Sequence, residues 1–236
     1  MELKKAVWIT GTSSGIGRAM AIEFAKNGEI VIATSRNKFL NQSIKTELAS
    51  KSKNLIPYEL DIKDYKSIQS FYEEVSQSFY ITCLINNAGL SSFKTAQENS
   101  VEEIKNIIDV NLLGAIYCIK TVLPSMINEN CGTIINILSV VAQKLFTNSS
   151  AYSASKNGLM AYSNVLREEV RDKNIRVLNV YPGATKTSIW PNNILEKYSH
   201  RMMAPNEISK IVYKIYSQKS DVVTEEILLR PIQGDL

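Results

Sequence analysis

Histidine is almost missing from this 236-residue chain, His200 being the only one. That excludes a multi-histidine metal centre and leaves a Ser-His-Asp triad only one residue through which to form. Cysteine is sparse too. Cys83, Cys118 and Cys131 are odd in number, widely spaced and set among apolar neighbours. This pattern argues against a disulfide framework or a metal knuckle and predicts buried thiols in a reducing compartment. The start, Met1 to Thr10, lacks the apolar stretch and small-residue cleavage site of a secretory signal and runs straight into a strand-like segment; a cytoplasmic protein is expected. No basic block, repeat, low-complexity tract or interdomain linker is present. The net charge of +4 is spread along the chain, which supports solubility rather than nucleic-acid binding. Nothing in the composition calls for a membrane.

What remains is the composition of an ordinary globular protein, 44% hydrophobic and 21% charged, at a length that suits one α/β domain over 1–236. Apolar runs at 6–10, 30–34, 55–60, 83–86, 133–138, 176–181 and 227–230 alternate with segments of helical period, and each run reads as a strand. Most are continuously apolar rather than alternating, so the sheet should be covered on both faces by crossover helices. The expected fold is therefore a doubly wound parallel sheet of seven strands, the Rossmann-type α/β architecture.

Helix punctuation agrees with this. Ser100-Val-Glu-Glu103 is a capping box opening a long helix that carries Ile104, Ile107, Ile108, Leu112, Ala115 and Ile119 near one side. Pro124 is expected to end it. Gly28 falls where the first helix needs a residue with positive φ, and Pro205 falls at the start of the last helix. The stretch 187–203 is the least regular and long for a connection, which suggests a substrate-loop insertion or lid.

Three features carry cofactor chemistry. Thr10-Gly-Thr-Ser-Ser-Gly-Ile-Gly17 follows the first strand and leads into a helix, the context in which glycines let backbone approach a pyrophosphate at a helix N-terminus. The second strand ends at Ala33-Thr-Ser-Arg-Asn37 without the acidic residue that would hold an adenine-ribose 2′-hydroxyl. Ser35 and Arg36 stand there, and a guanidinium pairs bidentately with a 2′-phosphate, so NADP(H) is preferred over NAD(H). Asn86-Asn-Ala-Gly89 closes the fourth strand, where small residues permit close approach.

Tyr152 and Lys156 carry the reaction chemistry. Four apart on one helix, they project from one face. Reducing a carbonyl needs a proton donor at its oxygen as hydride reaches carbon, and oxidising an alcohol needs the same group as base. Moving a phenol from a pKa of about 10 to about 7 requires about 4 kcal/mol, which an ammonium about 4 Å away supplies at an effective dielectric of about 20. Alone, such a pair is as easily a coincidence of a helix surface. Ser139, at the end of the fifth strand and thirteen residues before Tyr152, would place the substrate oxygen near the phenol. Asn111 is a poor intrinsic choice inside a helix and invites a local explanation.

The loop Gly11, Gly15, Gly17, together with Asn86-Asn-Ala-Gly89, Ser139, Tyr152, Lys156 and Pro182-Gly-Ala-Thr-Lys-Thr187, resembles the short-chain dehydrogenase/reductase family, in its compact, non-extended branch. The resemblance runs from Lys5 to about Thr187. It implies cofactor contacts from Gly11, Ser13, Ser14 and Ile16, an adenine site at Asp61 and Ile62, and close approach at Asn87, Ala88 and Gly89. It also implies nicotinamide contacts from Pro182, Thr185 and Thr187 and a catalytic tetrad of Asn111, Ser139, Tyr152 and Lys156, with Asn111 holding a water next to Lys156. Ser14 stands where many NADP-using relatives carry a basic side chain. Strand order 3-2-1-4-5-6-7, hydride transfer from the B face of nicotinamide, and a homodimer or homotetramer complete what it implies. Leu112, Ile116, Met160 and Tyr162 would then serve a subunit contact or the core.

The expected activity is hydride transfer between NADP(H) and a small-molecule carbonyl or secondary alcohol. An NAD-linked alcohol dehydrogenase and a non-catalytic dinucleotide-sensing protein stay open as alternatives. Val140, Val141, Phe146, Ile189 and Trp190 suggest an apolar substrate pocket, although strand-end packing explains some of them equally well.

Overall fold

The computed structural model describes residues 3–37, 53–218 and 221–236, so Met1 and Glu2 of the expected strand entry lie outside the described residues. Among the described residues seven strands form one sheet: β1 Lys4–Thr10, β2 Val31–Ser35, β3 Leu55–Glu59, β4 Phe79–Asn86, β5 Gly132–Ile137, β6 Ile175–Pro182 and β7 Glu226–Leu229. Their order is β3-β2-β1-β4-β5-β6-β7, with parallel pairing throughout. All seven expected strands are present. β4 begins earlier than its apolar run because Phe79, Tyr80 and Thr82 are only half-buried at the sheet's end. Pro57 lies in β3, an edge strand, where a missing N–H costs the ladder least.

The continuous apolar runs follow from the two-residue period of a strand. Along β1, Ala6 and Trp8 enter the core on one face while Val7 and Ile9 enter the other. The first core is closed by α2 (Tyr65–Ser76), α4 (Ala115–Asn128) and α5 (Ser150–Glu169), the second by α1 (Gly15–Lys26) and α7 (Pro205–Tyr216). Gly28 has φ +97° after α1 and Pro205 opens α7, both as expected.

The Ser100–Glu103 capping box forms at the start of α3 (Val101–Ile108): Ser100 Oγ accepts from Glu103 N at 3.1 Å, and Glu103 Oε2 accepts from Ser100 N at 2.9 Å. A π-helical turn, Asp109–Gly114, then joins α3 to α4. Pro124 does not end the helix. It lies inside α4, which continues to Asn128, because Val122 and Met126 on either side are fully buried and their packing outweighs one lost backbone bond. The run Val101–Asn128 is long and apolar enough to cross a membrane. Cys118, Ile119, Val122 and Met126 instead account for much of its apolar character by filling the core against the sheet.

Two further expectations need correction. The 187–203 stretch is not irregular, for it holds α6 (Asn192–Tyr198) and a 3-10 turn at Ser199–Arg201. Its base is closed by Lys186 N donating to Met203 O and Met203 N donating to Ala184 O, both at 2.9 Å. The Pro-Asn-Asn run that reads as loop is a helix start, with Pro191 as the residue before the first turn. Cys83 and Cys118 are buried as expected, but Cys131 is exposed in the turn between α4 and β5. Of the residues offered to a subunit contact or the core, Leu112 and Met160 pack on a small cluster with Leu138, Leu159 and Tyr181, and Tyr162 packs on the first core.

Candidate active site

The carboxyl ends of the central strands open on a cavity of about 860 Å³. Every residue expected as a cofactor or catalytic contact lines it, except Asn111. This convergence comes from parallel topology, which delivers successive strand ends to one edge of the sheet.

At the cofactor end, Thr10 Oγ1 accepts from Asn87 N at 3.0 Å and Ala88 N at 3.1 Å, and Asn87 Nδ2 donates to Thr10 O at 2.9 Å and Gly11 O at 3.1 Å. Asn87 thus braces the glycine loop from behind. A Cβ on Gly17 would stand 2.2 Å from Asn87 Nδ2, so this glycine is required by the protein's own packing as well as by any ligand. Ser14 precedes α1 without capping it, and the first turn has no acidic residue. The helix therefore presents its amides and positive dipole end to the cavity. Arg36 is exposed at the far end of the cavity, and Ser35 Oγ donates to Asn37 O at 2.9 Å to shape the turn beside it. Asp61 accepts from Lys63 N at 3.0 Å, which fixes the turn after β3, while Asp64 is the residue that caps α2. Ile62 is buried against Gly114 of the π-helical turn. An anion-ready helix end, a basic group at one extreme and a cavity of this size fit a nicotinamide dinucleotide.

At the chemical end, Tyr152 is half-buried beside the Ser139 hydroxyl, and both line the cavity. Lys156 is buried, its Nζ donating to Ile137 O at 2.8 Å and lying 5.8 Å from the centre of the Tyr152 ring. The electrostatics here differ from simple attraction between an ammonium and a phenolate. Burial raises the Tyr152 phenol above its ordinary value, and the neighbouring Ser139 hydroxyl only partly offsets this. Burial also lowers Lys156 to about 8. The ammonium expected to lower the phenol is itself disfavoured, because desolvation acts against both charged forms.

Asn111 sits in the π-helical turn, a feature that recurs at functional sites. Its Oδ1 accepts from Leu90 N at 2.7 Å, and its Nδ2 donates to Leu90 O at 2.8 Å and Ser155 Oγ at 2.9 Å. The amide thereby ties the loop after β4 to α5 one residue before Lys156. Both of its amide hydrogens and one acceptor site of its oxygen are engaged in this brace.

Sequence reasoning missed a buried polar ladder within the sheet and part of the cavity wall. Asn86, Asn136 and Asn179 occupy paired positions on β4, β5 and β6. They are joined by Asn86 Nδ2 to Asn136 Oδ1 at 2.9 Å and Asn136 Nδ2 to Asn179 Oδ1 at 3.3 Å, and Asn136 also donates to Ser163 of α5. One asparagine in each of three otherwise apolar runs was the available signal. Trp190 lines the cavity as expected, but its partner in a roof was missed: Phe93, after β4, stacks on Trp190, after β6, with ring centres 4.8 Å apart, and Trp190 Nε1 donates to Thr185 O at 3.0 Å. Asp235 and Leu236 of the segment after β7 complete the wall.

With this geometry in place the comparisons are consistent. The short chain dehydrogenase family model matches residues 5–197, and the chain belongs to that family. It is 31% identical to sepiapterin reductase of Chlorobaculum tepidum, covering 99% of each chain. It is 34% identical to the 3-oxoacyl-[acyl-carrier-protein] reductase of Buchnera aphidicola subsp. Schizaphis graminum, over 95% of each. Among solved structures it is similar to an alcohol dehydrogenase from Thermococcus sibiricus complexed with 5-hydroxy-NADP, at 29% identity and TM-score 0.88, covering 100% of this chain and 99% of that one. The chain is an oxidoreductase of the type that acts on CH–OH and C=O groups.

Proposed function

We propose that the chain is an NADP(H)-dependent reductase of small carbonyl compounds, reversible toward secondary alcohols, with Tyr152 as its general acid and base. The observation that carries this reading is the convergence of Ser139, Tyr152 and buried Lys156 in one cavity with the uncapped N-terminus of α1. The cofactor supplies or accepts the hydride. Ser139 donates to the substrate oxygen and holds it next to the phenol. Tyr152 gives that oxygen its proton in reduction and removes it in oxidation. Lys156, when charged, stabilises the phenolate left behind. Asn111 keeps α5 in register with the loop after β4 and so acts as a positioning residue.

Preference for NADP(H) rests on Arg36 at the end of β2, with no acidic residue among 33–37 to repel a 2′-phosphate. The NADP analogue bound by the Thermococcus sibiricus relative supports the same reading. The apolar roof of Phe93 and Trp190, together with Val141 and Phe146, favours a substrate with an apolar body. A panel of aldehydes and ketones, followed by loss of NADPH absorbance and repeated with NADH, tests the proposal. Turnover with NADPH well above NADH is expected; binding of either cofactor with no turnover across the panel would favour the dinucleotide-sensing alternative.

A further inference from the structure

The segment after β7 turns back onto the substrate end of the cavity, and its geometry shows how it is held there. Gly234 N donates to Pro231 O at 2.8 Å, closing a turn in which Gly234 has φ +81°, a conformation that other residues adopt only with strain. The turn brings Asp235 and Leu236 to the cavity wall. Asp235 is then gripped from three directions. Arg230 engages both carboxylate oxygens, with Nε to Oδ1 at 3.1 Å and Nη2 on Oδ2, the bidentate arrangement that combines strength with fixed orientation. Lys144 Nζ lies 3.1 Å from Oδ2, and Arg201 Nη2 donates to the Asp235 backbone oxygen at 3.1 Å. The Asp235 side chain is only 10% exposed, which sets this network apart from isolated surface pairs that contribute little.

The three cations come from three parts of the substrate chamber. Lys144 lies two residues before Phe146 in the connection from β5 to α5, Arg201 ends the 3-10 turn of the 187–203 stretch, and Arg230 follows β7. Asp235 therefore ties these chamber walls together, through its carboxylate to Lys144 and Arg230 and through its backbone oxygen to Arg201.

We propose that Asp235 is a specificity-determining residue: by clipping the 231–236 segment to Lys144, Arg201 and Arg230, it sets Leu236 as a wall that limits the size of the carbonyl substrate. This rests on the carbonyl-reductase reading above. Breaking the clip releases the wall without touching Tyr152, Lys156 or the glycine loop, so its signature is a change in substrate preference through KM, with kcat and cofactor affinity little changed.

The test compares wild type, Asp235→Ala and Gly234→Val with NADPH and a series of methyl ketones of increasing alkyl length. In both variants the ratio of kcat/KM for the longest ketone to that for the shortest is expected to rise at least tenfold, with the KM for NADPH within twofold of wild type. Lys144→Met, which removes one exposed partner and endangers folding least, should shift the ratio in the same direction by about two- to threefold. A ratio unchanged within twofold in all three variants overturns the proposal while leaving the reductase reading intact. Amide hydrogen exchange of Gly234, whose N–H is held by Pro231 O, read without substrate, should accelerate at least tenfold in Asp235→Ala. Unchanged exchange overturns the clip even if wild type turns over none of the ketones, the outcome that would count against the reductase reading itself.

Discussion

The two ends of the cavity are built by different means. At the cofactor end, backbone and short buried side chains do the holding: Thr10, Asn87 and the glycine loop bond one another directly behind the wall, and a single Cβ at Gly17 has no room. At the substrate end the wall is made of loops from different strands, joined by a ring stack between Phe93 and Trp190 and by charges around Asp235. The first construction leaves little freedom to vary. The second permits substitution with modest loss, which suits a region where one fold serves many substrates. Changes at the cofactor end should therefore cost stability or cofactor binding, and changes at the substrate end should chiefly alter KM.

The largest effect that sharpens this contrast is expected at the boundary between the ends. Lys156 has its pKa lowered by burial to about 8, so the folded state carries a penalty for the ammonium that is complete below pH 8 and fades as pH rises toward the unfolded value of about 10.5. The difference corresponds to about 3 kcal/mol. Between pH 7 and about 10.5, wild type should gain about that much unfolding free energy relative to Lys156→Met, as denaturant melts at several pH values would show. In the direction of carbonyl reduction, kcat/KM should fall as pH rises through about 8, when Lys156 loses the charge that stabilises the phenolate. Lys156→Met should lack that step.

Next in size is Arg36→Asp. Replacing a charge-assisted contact to the 2′-phosphate by repulsion should weaken NADPH binding roughly 10- to 100-fold, since such bonds are worth about 1.5–3 kcal/mol, while NADH binding is unchanged or improved. Fluorescence titration of both cofactors measures this directly. Gly17→Ala should lower stability by roughly 2 kcal/mol, because the added methyl overlaps Asn87 and the loop must shift; a chemical melt without cofactor separates this from a loss of ligand contacts. The smallest effect is expected at the roof. Phe93→Ala removes a stacked pair worth about 1 kcal/mol and should raise the substrate KM a few-fold, with the NADPH KM almost unmoved and the melting temperature lowered by only about 2–4 °C. A drop in stability there as large as that for Gly17→Ala would erase the contrast between the two ends.

The same contrast explains what was legible in the sequence. Strands β1, β2, β5 and β6 were readable because burial on both faces forces an unbroken apolar run, and the glycine loop was readable because its constraints are local. Ser139, Tyr152 and Lys156 were readable by spacing. Their electrostatics were not, because desolvation depends on the whole surrounding packing and here outweighs the pairwise attraction that sequence spacing suggests. The end of the long helix was misplaced because Val122 and Met126 pack through the proline, a tertiary effect. The roof and the Asp235 clip join residues 97 and 91 positions apart, and no periodicity in one sequence links such positions. Asn111 was readable as unusual, but its bonds to Leu90 and Ser155 emerge only once β4 and α5 are placed side by side.

The most direct test of the central claim is the Tyr152→Phe variant, assayed for NADPH binding and for carbonyl reduction in one preparation. Removing one hydroxyl from a position that lines the cavity should leave NADPH affinity within about twofold and reduce kcat by about a thousandfold, the scale of general acid catalysis. Turnover at the wild-type rate, with NADPH still bound, would contradict the assignment of Tyr152 as the proton donor.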